Sequence, residues 1–92
     1  MRKYYKRHSK IRAIERYNVK LSNADIKEIK NIIKKNKTIL SEKKSNSRSR
    51  CILEYEGKIY IVIYSRKLKC IVTFLPFKGN IINRMRINQE NN

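Results

Sequence analysis

His8 is the single imidazole of the chain, and Arg12 and Arg16 follow it at intervals of four. On a helix this spacing lays the three side chains along one polar ridge. Near neutral pH an imidazole can accept the proton of an RNA 2′-hydroxyl, and an imidazolium can protonate the leaving oxygen. Arg12, with Arg48 or Arg50, could stabilise charge developing on the phosphorane oxygens. Thr73 offers a hydroxyl to phosphate, and Tyr60 or Tyr64 offers a ring to a base. This route is transesterification to a cyclic phosphate, and it calls for neither a metal nor a cofactor. Each residue also has a plainer reading: arginines solvating a helix, a threonine filling a strand, tyrosines packing a core.

The charge balance narrows the partner. Lys and Arg number 24 against 7 Asp and Glu, a formal net charge of +17 in 92 residues. Such a field draws in polyanions and is screened by salt. RNA or a ribonucleoprotein such as the ribosome is the expected partner, with DNA and an acidic protein as alternatives. Arg16, Arg48, Arg50 and Arg66, with Tyr60 and Tyr64, are the candidate nucleic-acid contacts. Cys51 and Cys70 lack metal-ligand spacing and lie in apolar extended patterns, which suits reduced, buried thiols and leaves a cross-strand disulfide open. The sequence has neither an apolar run of bilayer length nor a signal-like hydrophobic region after the basic N-terminus, so a cytoplasmic location is expected.

These side chains must be positioned by helices first and strands afterwards. From Tyr4 to Tyr17, Ile11 and Ile14 with Tyr4, Ala13 and Tyr17 make an interrupted apolar side among basic residues, which predicts a helix. Ser22 followed by Asp25 marks a second helix start, with Leu21 placed as a hydrophobic staple. Ile26, Ile29, Ile32 and Ile33 continue the apolar stripe until the basic stretch Lys34 to Lys37.

A short strand is expected around Thr38 to Glu42, then a polar basic loop from Lys43 to Ser49. The period then changes from helical to extended. Cys51 to Tyr55, Lys58 to Tyr64 and Cys70 to Leu75 are rich in β-branched and aromatic residues. Glu56-Gly57 closes a tight hairpin that sets Glu54 opposite Ile59, Ile52 opposite Ile61 and Arg50 opposite Ile63. Ser65 to Leu68 makes the next connection, and Pro76 ends the last strand.

The expected fold is therefore α+β, two N-terminal helices packed on a three- or four-stranded antiparallel sheet. Residues 1–87 form one basic domain and 88–92 a mobile tail, with Ile81, Ile82, Met85 and Ile87 in a short terminal element. The face carrying Ile52, Ile59, Ile61, Ile63, Val72 and Phe74 is expected to meet the helices. The face with Tyr60, Tyr64 and Thr73 is left for binding.

The order of these elements, in Arg7 with HSKIRAIER after it, then SNSRSRCILEYEGKIYIVIY and KCIVTFLP, resembles small ribonucleases and toxins of the barnase/EndoU/colicin/RelE-like fold group across residues 7–76. The resemblance implies a metal-independent RNA endonuclease or translation-targeting toxin, with His8 at the helix-borne acid/base position, Arg12 at a phosphate-contacting position and Thr73 on a late strand. A second histidine is missing from the pattern, so the other proton would need another carrier. The alternatives are a noncatalytic RNA- or DNA-binding protein and a small basic structural or inhibitory protein held to a ribonucleoprotein.

Overall fold

A computed structural model describes residues 2–76 and shows two helices followed by a four-stranded antiparallel sheet. The proposed terminal element at 81–87, the domain limit at 87 and the tail 88–92 lie outside the described residues.

Helix α1 spans Arg2–Tyr17, with seven basic residues against one acidic. It buries Ser9 and Ala13, small side chains that let the backbone approach the sheet, while Ile11 and Ile14 stay exposed. Asn18 ends it in the left-handed region at φ 54°, its N–H donating to the Ile14 carbonyl at 2.9 Å, a conformation asparagine tolerates better than most residues.

Helix α2 spans Asn23–Lys34 and opens with a complete capping box. The Ser22 hydroxyl accepts from the Asp25 N–H at 3.1 Å, and the Asp25 carboxylate accepts from the Ser22 N–H at 2.9 Å. Leu21 and Ile26 are buried in the same cluster, as a staple requires. At the other end, Asn36 takes φ 55°. Its N–H bonds the Ile33 carbonyl and that of Lys37 bonds Ile32, so a Schellman motif satisfies the last carbonyls.

Strands β1 (Leu40–Lys43), β2 (Arg48–Tyr55), β3 (Lys58–Ser65) and β4 (Cys70–Leu75) form a meander in chain order. The β2–β3 register has the expected pairs, including Ile52 with Ile61 and Arg50 with Ile63. Glu56 and Gly57 both have positive φ, 50° and 77°, the type I′ signature that matches strand twist. The basic loop is shorter than expected: β2 already begins at Arg48, because Arg48, Ser49 and Arg50 pair with Ser65, Tyr64 and Ile63. Between β3 and β4 the register shifts at Ile63/Tyr64, leaving Val72 unopposed between Ile71 and Thr73.

The helices cover the face opposite to the one expected. Their core holds Cys51, Leu53, Tyr60, Val62, Tyr64, Ile71 and Phe74 with Ala13, Leu21, Ile26 and Ile29. Ile52 and Ile61 form a separate cluster with Leu40, Ile59 and Leu75 on the other face. Of the six residues assigned to the helix side, only Phe74 joins the helix-side core. Alternation places Ile63 and Thr73 on the far side with Ile61.

α1 lies over the edge strand β4, and α2 over β2 and β4. Tyr17 fixes the first contact: its hydroxyl accepts from the Ile61 N–H at 3.0 Å and donates to the Leu75 carbonyl at 2.6 Å. Its ring packs on Tyr60 with centroids 5.0 Å apart. The second contact is held by the Tyr55 hydroxyl, which donates to the Asp25 carboxylate at 2.7 Å.

Candidate nucleic-acid interface

Helical geometry and strand pairing separate the residues proposed for catalysis. His8 is half-buried on α1, with its ring stacked on Tyr4 at 5.7 Å and 13°. Arg12 is one turn on, with its guanidinium 2.8 Å from Glu15. Thr73 pairs with Ile63 on the far face of the sheet. The sheet therefore stands between Thr73 and the helix that carries the imidazole.

Several of the expected contacts are already engaged within the fold. Arg16 donates to the Phe74 carbonyl at 2.7 Å, where it satisfies an edge-strand acceptor. Arg50 pairs with Glu42 at 2.8 Å. Arg66 bonds the Ser49 hydroxyl and the Ser45 carbonyl, and its backbone N–H bonds Ser47 at 2.7 Å, tying the β1–β2 loop to the β3–β4 turn.

The expectation for the two tyrosines is corrected by their burial. Tyr60 is 2 % exposed and Tyr64 7 %, and burial raises the pKa of both phenols. Neither ring presents a face to a base. Burial likewise pushes the Cys51 thiol up, so it stays a packing group; Cys51 and Cys70 are not joined by a disulfide. Arg48 is exposed at the start of β2. Among the described residues no group of three metal-ligating side chains occurs, and no helix is long and apolar enough to cross a membrane.

A different set of residues does converge. The two helices pack on the sheet rather than closely on one another, and a cleft of about 160 Å³ opens between them, with Lys6 from α1, Lys30 from α2 and Lys69 from the β3–β4 turn around it. Ser9, Ile26 and Ile71 are among its other lining residues. Lys6 also borders two adjoining depressions, one reaching Asn23 and Lys27 on α2 and one reaching Arg7, Lys10 and Ile14 on α1. Lys10 spans the groove by bonding the Asn23 side chain.

None of the described residues lining these three depressions is acidic. Three of the chain's carboxylates are engaged by other groups: Glu15 by Arg12, Glu42 by Arg50 and Lys44, and Asp25 by Ser22 and Tyr55. The Ser22 N–H and then the Tyr55 hydroxyl hold the Asp25 carboxyl below its ordinary range. Its bonds turn this anion toward the helix cap and the end of β2.

The lysines are invisible as a site in the sequence because they come from three separated segments. Tyr4 was also missed. It is 64 % exposed and contacts Tyr5 edge-on as well as stacking on His8. The i,i+4 interval between Tyr4 and His8 was the available signal.

No protein-family model, curated protein or solved structure matches the chain.

Proposed function

We propose that this chain is a noncatalytic RNA-binding module that seats a phosphate backbone along the groove between α1 and α2. The observation that carries this reading is the convergence of Lys6, Lys30 and Lys69 from three elements on a cleft with no acidic side chain among its described lining residues. Lysines act there as point charges, neutralising phosphates and releasing counterions without reading sequence. Arg7 and Lys10 extend the positive surface over the crest of α1, and exposed Tyr4, backed by His8, provides a ring for one unstacked base. In this role His8 supports an aromatic platform and need not carry a proton. Cleavage through the 2′-hydroxyl asks for more: a second proton carrier and oxyanion donors gathered at His8, whereas Arg12 is paired with Glu15 and Thr73 lies across the sheet.

The test is a salt series with a labelled single-stranded RNA and a matched DNA. Log affinity falls linearly with log salt, and replacing Lys6, Lys30 and Lys69 together by Gln lowers the slope by about 2, at about 0.7 per neutralised phosphate. Unchanged affinity and slope in the triple variant would remove the groove from the interface, and tighter binding of DNA would reassign the ligand. End mapping of the same RNA after incubation should find it intact with wild type and with His8→Ala alike. Cyclic-phosphate ends that depend on His8 would replace binding by cleavage as the function.

A further inference from the structure

The outward side of α1 carries an apolar line that the fold does not use. Ser9 and Ala13 are buried on the side of α1 that meets β4. With about 3.6 residues per turn, Tyr4, Arg7, Ile11 and Ile14 recur at intervals of three and four on the opposite side. Tyr4, Ile11 and Ile14 are 64 %, 46 % and 47 % exposed, three of the four large apolar side chains left open among the described residues. Single exposed hydrophobes are ordinary, but three in one line form a patch that points to a partner. The line adjoins the lysine groove. Lys6, Arg7, Lys10, Ile11 and Ile14 line one depression, which shares Lys6 with the cleft that holds Lys30 and Lys69. Glu15, the one acid of α1, is bonded to Arg12. A ligand seated in the groove therefore meets cations first and apolar surface directly beyond them.

We propose that the crest formed by Tyr4, Arg7, Ile11 and Ile14 receives the bases of unpaired RNA, so that the module takes single strands and rejects duplex; this rests on the groove's role as a phosphate site. An unpaired strand has a charged backbone on one side and flat, weakly polar base faces on the other, and groove and crest present the matching pair side by side. The Tyr4 ring and the Arg7 guanidinium plane each offer a stacking surface, and the two isoleucines offer apolar contact to base faces. In an A-form duplex those faces are hidden, and the outer surface is phosphate and 2′-hydroxyl. Docking a duplex would press Ile11 and Ile14 against charge and leave the lysines as its main contacts. From Tyr4 to Ile14 the crest rises about 15 Å, against about 3.4 Å per stacked base along a strand, so it meets at most about four nucleotides. A second copy is the poorer occupant, because each chain carries +17 and repels its like.

The test uses the full chain with labelled isoleucine methyls, a short unstructured RNA and the duplex of the same sequence. The single strand should move the Ile11 and Ile14 methyl signals upfield through base ring currents and leave buried Ile29 in place, whereas the duplex should leave Ile11 and Ile14 where they are. Replacing Tyr4, Ile11 and Ile14 together by Ala, a change that exposed helical positions tolerate, should weaken single-strand binding about tenfold or more. Duplex binding and the salt slope should not change. Wild-type chain that holds the duplex as tightly as the single strand, or a crest variant that keeps its single-strand affinity, overturns the proposal. In either case the Lys6, Lys30 and Lys69 variant still lowers the salt slope if the groove binds phosphate, and an unmoved slope there removes the groove and the crest together. Ile11 and Ile14 signals that move with phosphatidylserine vesicles and not with RNA, or on concentrating the protein alone, would assign the crest to a membrane or a second copy, which also overturns it.

Discussion

The two ends of α1 use similar side chains in opposite ways. At the C-terminal end, Arg16 and Tyr17 reach the sheet and bond the Phe74 and Leu75 carbonyls, so a cation and a phenol serve as structural connectors. At the N-terminal end, Lys6, Arg7 and Lys10 border open depressions with Ile11 and Ile14 between them. Residue type does not separate the two groups. What separates them is whether the donor meets a backbone acceptor of the sheet, as at the edge strand β4, or a side chain across the groove, as Lys10 meets Asn23. A cation already bonded to the fold must give up that bond before it can take a phosphate.

The contrast is broken most severely by Tyr17→Phe. This change leaves the Ile61 N–H and the Leu75 carbonyl without their shared partner, and denaturant unfolding should show a loss of about 1–3 kcal/mol. RNA affinity of the folded fraction should be unchanged, and a parallel loss of affinity would show that the two ends of α1 are coupled.

Ser22→Ala is expected to cost about 1 kcal/mol, the usual value of an N-cap side chain. The same cap makes stability pH-dependent. The Asp25 carboxyl is held below its ordinary value of 3.8 by the Ser22 N–H, the Tyr55 hydroxyl and the Ser22 hydroxyl. Glu42, held down by Arg50 and then Lys44, acts in the same sense. A depressed carboxyl binds its proton more weakly in the folded state, so its stabilisation is present above the unfolded pKa and is lost as pH falls through the folded value. Unfolding midpoints should therefore drop steeply below about pH 4, and Asp25→Asn should flatten that limb. A midpoint independent of pH in this range would remove the cap from the account.

The smallest change belongs to Arg12→Ala. Its pair with Glu15 is exposed and local, and such pairs contribute about 0.2–1 kcal/mol. A larger loss would mean that Arg12 holds α1 in place as Arg16 does.

Local signals carried much of this fold into the sequence. Ser22 and Asp25 announced the start of α2, and Glu56-Gly57 set the β2–β3 register residue by residue. The choice of sheet face was not legible, because β2 and β3 are apolar on both sides. Leu53 and Val62 alternate with Ile52 and Ile61, so period-2 patterning cannot say which set meets the helices. The tyrosines added a bias toward the wrong answer: a polar tip suggested a surface, whereas the rings of Tyr60 and Tyr64 fill the core. Of the candidate site, the His8–Arg12–Arg16 ridge was visible because it is local in sequence. The lysine groove depends on the distance between two helices and on where a β-turn places Lys69, which no periodicity encodes.

The meander joins each strand to the next, yet its edge strand β4 is covered by α1, the first element of the described chain. During synthesis from the N-terminus, α1 therefore emerges before any of the surface it must bury. It waits, with Ala13 and Ser9 still hydrated, until the fourth strand has left the ribosome. Hairpin formation can proceed locally and early, while closure of the two layers is a later event that joins the first of the described elements to the last of them.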